Sequence, residues 1–215
     1  MGRSILRAAL AIFCLGLVFL PARGQDLAMA GSPRAKKMQG LADLMIEYLE
    51  VRYPDAPVEG HVLYVSVHRQ RMFHVLEGQL QQEYVISTAR NGLGTVTASN
   101  KTPTGLHRVV EKFGAGVPSG GVFRERHYTG ENMAGDTAGL DLITSRILWL
   151  GGLEPGFNQG GTVDSQRRGI YIHGTGDEAT LGTPSSHGCV RMRNTDVIEL
   201  FDAVPLGTLV VILDN

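Results

Sequence analysis

The sequence predicts a mainly β protein, a sandwich or semi-barrel in which strands outnumber helices. Apolar residues alternate with a period of two from His61 onward, the pattern of half-buried strands. Turn pairs such as Glu77-Gly78 separate these runs, and the 28 glycines fall mostly in the second half, as on a loop-rich β scaffold. The strands follow one another without an alternating helix, which disfavours a parallel doubly wound sheet. A chain of 215 residues is one domain plus a targeting segment.

In order along the chain, residues 1–24 read as a signal peptide. Arg3 and Arg7 precede an uncharged apolar run from Ala8 to Leu20, and Ala22 and Gly24 are small residues at the positions a signal peptidase reads. The run is shorter than the ~20 residues of a spanning helix, so cleavage ahead of Gln25 is expected over an uncleaved anchor. The expected destination is the periplasm or cell envelope. Residues 25–60 hold a helix and a linker. Ser32-Pro33 marks the helix start, Leu41, Leu44, Met45, Tyr48 and Leu49 recur at helical spacing, and Pro54 ends it.

The domain then runs over residues 61–215. Strands are expected at His61 to His68, Met72 to Leu76, Leu80 to Thr88, Leu106 to Lys112, Arg146 to Leu150, Gly169 to His173 and Thr208 to Leu213. Asn194-Thr195-Asp196 is expected to cap a helix ending near Ala203, before Pro205 and Gly207. Between Phe113 and Ser145 seven glycines and little periodicity point to a lid over about 113–145. Trp149 is expected in the core.

Composition gives no electrostatic case for nucleic acid as a partner. With 43% hydrophobic and 19% charged residues and a net charge of −1, there is no basic stripe to hold nucleic acid.

The chemistry concentrates near the end of the chain. Loss of the signal removes Cys14 and leaves a single cysteine, Cys189, in a compartment where thiols are normally paired. It stands in Ser185-Ser186-His187-Gly188-Cys189-Val190-Arg191, after Ile172-His173-Gly174-Thr175. A nucleophilic thiol needs a base, since a free cysteine near pKa ~8.5 is mostly protonated at neutral pH. His173, at a strand end, supplies one if the loop folds back. The Gly174 carbonyl would fix its tautomer in place of a carboxylate. The Gly188 and Cys189 amides would face a developing oxyanion.

These residues resemble the signature of the L,D-transpeptidase (YkuD-type) catalytic domain: a histidine, then Ser-His-Gly-Cys, a hydrophobic residue and Arg or Asn. The likeness extends to Val67 to Gln70, Phe73, Thr102-Pro103-Thr104-Gly105, Ile198 to Phe201 and Pro205 to Val210, covering about Val62 to Leu213. The resemblance implies Cys189 as nucleophile, His173 as general base and acid, Gly174 as orienting carbonyl, and Gly188 with Cys189 as oxyanion donors. Ser186, His187 and Arg191 fall on positions that line or brace the substrate site. Arg191 stands where other members carry Asn. The implied substrates are peptidoglycan stem peptides, whose terminal D-residue leaves as a thioester forms. The implied acyl acceptor is a second stem, a lipoprotein lysine or, in a carboxypeptidase, water. No cofactor or metal is required.

Other readings stay open at this level. Cys189 alone reads as a buried structural thiol. His173, His187 and Cys189 would make a three-ligand zinc site, though without a Cys-x-x-Cys pair. A non-catalytic wall-binding module on the same scaffold has no need of Cys189 and His173 together. His61, His68, His74, His107 and His127 have no evident partners, and Tyr128 and Asn132 fall in the expected lid.

Overall fold

Strand β1 (His61–Ser66) is buried along nearly its whole length, not on alternate residues. Both of its faces are covered, so its sequence reads as a continuous apolar run. The computed structural model describes residues 33–133 and 140–215. The expected signal segment lies outside them. β1 pairs antiparallel with β2 (Arg71–Leu76), which pairs with β3 (Gln79–Ser87) through the Glu77-Gly78 turn. Later come β4 (Gly105–Phe113), β5 (Gly121–Arg124), β6 (His127–Asn132), β7 (Ile143–Gly152), β8 (Tyr171–Gly174), β9 (Val190–Met192) and β10 (Leu209–Leu213). The mainly β expectation holds, and the sheet curls on itself.

The hydrogen-bonded order is β4-β10-β1-β2-β3-β9-β8-β7-β5-β6, and β4 also pairs with β7. That extra pairing closes the strands from β4 round to β7 into a ring, which removes open edges. The β5–β6 hairpin hangs outside it. Most pairings are antiparallel, but β1–β10 and β8–β9 are parallel. On one side of the strands Leu63, Val65, Met72, Ile86, Leu148, Leu150, Ile172, Val190, Met192, Val210 and Ile212 form the main core. Helix α2 (Asn194–Ala203) adds Val197, Leu200 and Phe201 to it. On the other side of β1, β2 and β10 a second core of Val62, Tyr64, Phe73, Val75, Leu209 and Val211 is covered by helix α1 (Pro33–Arg52).

Four local expectations change. The buried stripe of α1 is Ala42, Met45 and Leu49, while Leu44 is 64% exposed, because the helix meets the sheet on the face one residue round. The start of α2 is not capped by its own Asn194: the cap position is Arg193 without a side-chain bond, and the Asn194 amide donates instead to Glu178 Oε1 at 2.9 Å. The stretch expected as a lid is partly regular, since β5, β6 and the start of β7 fall within it. All six residues of β6 are exposed, so no apolar period marked it as a strand. Residues 134–139 of that stretch lie outside the described set. Trp149, expected in the core, is half-buried with the Arg126 guanidinium over its ring.

Candidate active site

The parallel pairing of β8 with β9 builds the site. Its register sets Ile172 beside Val190, His173 beside Arg191 and Gly174 beside Met192. Alternation along each strand then sends Ile172, Val190 and Met192 into the main core. Tyr171, His173, Cys189 and Arg191 therefore share the opposite face. Tyr171 and Cys189 join a smaller cluster there with Phe123, Ile147 and Trp149. The register thus sets His173 beside Arg191, with Cys189 two residues earlier on the same face.

His173 is buried, and its Nδ1 lies 2.7 Å from the Gly174 carbonyl oxygen. A carbonyl only accepts, so Nδ1 carries the proton and Nε2 presents a lone pair. Burial holds His173 below the ordinary histidine range, partly offset by the Gly174 carbonyl and the Asp141 carboxylate. Gly174 has to be glycine: a Cβ there would meet Asn194 Oδ1 at 2.5 Å and the Thr144 carbonyl at 2.8 Å. Asn194 Oδ1 accepts from Thr144 Oγ1 at 2.6 Å and from Ser145 Oγ, while its Nδ2 donates to the Thr175 carbonyl at 2.8 Å. The strand end that carries the histidine is tied down from three sides.

The Cys189 thiol is partly exposed and donates to the Gly169 carbonyl at 3.4 Å, while the Tyr171 amide donates to its sulfur at 3.4 Å. Burial pushes the thiol up to about 12; the Tyr171 amide and the guanidinium groups of Arg168 and Arg191 pull the other way. Both shifts favour the neutral forms, thiol and imidazole.

The turn before the cysteine rests on two buried hydroxyls. Ser186 Oγ donates to the Cys189 carbonyl at 2.7 Å and accepts from the Gly188 amide at 3.1 Å. Thr102 Oγ1 donates to the Gly188 carbonyl at 2.9 Å. Gly188 has φ of 135°, a conformation that a side chain strains. The Gly188 amide, expected as an oxyanion donor, here donates to Ser186, and Ser186, fully buried, braces the turn from beneath.

Residues 60–212 match the L,D-transpeptidase catalytic domain, the YkuD family. The chain belongs to this family. Among similar proteins, the L,D-transpeptidase-type protein YqjB of Bacillus subtilis is 44% identical over 66 residues, 31% of this chain and 36% of that protein. The L,D-transpeptidase-type protein YbiS of Escherichia coli is 51% identical over 44 residues, 20% of this chain and 14% of that protein. The matched stretches thus span well under two thirds of these relatives. The solved L,D-transpeptidase of Xylanimonas cellulosilytica is 20% identical, with a TM-score of 0.47 over 85% of this chain and 70% of that one. The assignment rests on the domain match.

In this L,D-transpeptidase domain Arg191 is a buried hub. Its guanidinium reaches Asp141 Oδ1 at 3.3 Å, Asp177 Oδ2 at 3.8 Å, Thr180 Oγ1 at 2.7 Å and Ser87 Oγ at 3.3 Å, and it bonds Ser185 Oγ. It is 1% exposed, so it too braces the site and does not line it. His187 is the exposed member: its Nδ1 lies 2.8 Å from Asp141 Oδ2, and Arg90 Nη2 lies 3.2 Å from its Nε2. Asp141 also accepts the His187 amide at 3.0 Å, so one carboxylate clamps the cysteine loop to the last part of the stretch expected as a lid. Sequence reasoning missed Asp141, which sits among glycines with no motif around it. It also missed Asn194 as a brace, reading that residue only as a cap.

Proposed function

We propose that this protein is an exported peptidoglycan L,D-transpeptidase working through Cys189 and His173. The observation that carries it is a buried histidine whose tautomer is set by the Gly174 carbonyl, on the same sheet face as the lone thiol. As Cys189 Sγ attacks the carbonyl of the third residue of a tetrapeptide stem, the thiol proton passes to His173 Nε2. The carbonyl oxygen becomes an oxyanion facing the Cys189 amide, a donor worth ~3 kcal/mol in such sites. The bond to the terminal D-residue then breaks, His173 gives its proton to the departing amine, and a thioester remains. An amine acceptor attacks that thioester, its proton goes to His173, and the free thiol returns as the C–S bond breaks. A second stem or a lipoprotein lysine serves as the amine; water in its place makes a carboxypeptidase. Export is supported by residues 1–24, which read as a cleavable signal.

The test is mass spectrometry of disaccharide-tetrapeptide incubated with the protein and with Cys189→Ala. The expected result is loss of the terminal D-alanine with a dimer joined between third residues, both absent from the variant. Loss of D-alanine without dimer reassigns the acceptor to water or another amine. Turnover that survives in Cys189→Ala removes the thioester from the mechanism.

A further inference from the structure

The turn that presents the cysteine leaves one polar group unassigned. Of the four backbone polar groups of Gly188 and Cys189, three are held by buried hydroxyls: the Gly188 amide and Cys189 carbonyl by Ser186, and the Gly188 carbonyl by Thr102. The fourth is the Cys189 amide, which has no partner among the described residues. A trans peptide is planar, so its carbonyl and N–H point in opposite directions. Whatever holds the Gly188 carbonyl therefore also aims the Cys189 N–H. The only freedom left is rotation of that peptide plane, and a glycine on its N-terminal side makes the rotation easy.

We propose that Thr102 is a positioning residue that aims the Cys189 amide at the oxyanion by gripping the other end of the same peptide. This rests on the acyl-transfer reading above. The hydroxyl has little choice of role. Its oxygen accepts the Ala89 amide at 2.9 Å, so its proton is directed to the Gly188 carbonyl. The residue is fully buried, and its own backbone is fixed at both ends: its amide donates to the Gly92 carbonyl at 3.1 Å and its carbonyl accepts the Gly94 amide at 2.9 Å. Thr102 is thus held in place by bonds that involve neither Gly188 nor Cys189. The turn that follows is fixed too. At Gly105, φ is 94° and a Cβ would overlap Glu154 Oε1, the atom that accepts the Leu106 amide. A donor set in place before the substrate arrives costs no reorganisation as charge develops.

The test uses Thr102→Val, close in shape but lacking the hydroxyl, beside Thr102→Ser, which keeps it. Two rates are read on each purified protein. One is turnover of disaccharide-tetrapeptide, which passes through an oxyanion. The other is alkylation of Cys189 by iodoacetamide, which does not. Loss of a whole oxyanion donor costs about 100- to 1000-fold, so a mis-aimed one is expected to lower kcat about 10- to 100-fold. KM and alkylation should stay within about twofold, and the serine variant should recover most of the loss. Equal kcat in wild type and Thr102→Val overturns the inference, as does alkylation that falls in step with kcat, since the turn itself would then have collapsed. If the valine variant does not fold, Thr102→Ala carries the same comparison. A wild-type protein that is alkylated but never acylated overturns the acyl-transfer reading, and this inference falls with it.

Discussion

His107 and His173 are both buried, and each has Nδ1 against a nearby backbone carbonyl, Gly105 at 3.0 Å and Gly174 at 2.7 Å. They differ at the other nitrogen. His107 Nε2 accepts from Ser165 Oγ at 3.0 Å, whereas His173 Nε2 has no partner among the described residues. Burial depresses both, His107 to about 4. An imidazole bonded at both ends is a strut between β4 and the loop before β8. One bonded at a single end is oriented yet chemically free. Burial and a low pKa are shared by both, so neither property singles out the proposed base; the vacant lone pair does.

The largest expected effect separates the two residues. His173→Gln should lower turnover about 1000-fold, within the range for loss of a general base, and shift Tm by only a degree or two. His107→Ala should do the reverse. It orphans two buried partners at a cost of about 3 kcal/mol, which lowers Tm by roughly 10 °C, while turnover per folded molecule stays near wild type. Thermal melts beside active-site titration read both. A His173→Gln protein as unstable as His107→Ala would break the comparison.

A second prediction concerns pH. An unfolded histidine titrates near ~6.5. His107 and His74 are held down to about 4, His74 by burial and by His61, whose Nδ1 is 2.8 Å from its Nε2. Between those two values the unfolded chain binds protons that the folded chain does not. Stability is therefore full above about 6.5, falls as pH drops toward about 4, and gains no further loss from these groups below that. Urea midpoints measured from pH 7 to pH 4 should decline, with a shallower slope in His107→Gln. A flat profile would mean that these imidazoles are not buried neutral.

The smallest effect is on the thiol. Because burial raises Cys189 to about 12, alkylation by iodoacetamide should still be climbing at pH 10, where an ordinary cysteine has levelled off. A plateau near pH 8 would show a thiolate already stabilised at rest, and would give His173 a different starting charge.

Much of this was legible in the residues. β1, β2 and β4 carry enough branched and aromatic side chains to declare themselves, and Pro205 and Gly207 close α2 where the sequence places the stop. The His173 and Cys189 motif stands out because a thiol preceded by Ser186-His187-Gly188 has few structural excuses. The hidden parts have physical reasons. β6 faces solvent throughout, and β9 is three residues long, too short for a period. The parallel register of β8 on β9 is a non-local fact that no window of sequence contains. Arg191 and Ser186 lie on motif positions, but motif position does not distinguish a residue that touches substrate from one sealed beneath it. Asp141 reaches the site only because the chain folds back from the glycine-rich stretch.

Strand β10 lies between β1 and β4 in the ring, although both precede it by most of the domain. A growing chain holds Cys189, His173 and Thr102 before it holds the strand that joins the two halves of the wall around them. Until β10 is laid in, β1 and β4 each present an unpaired edge, and the core beneath Ile172 and Val190 lacks Val210 and Ile212. In the order of synthesis, Cys189 and His173 are made before the ring of strands that holds them can close.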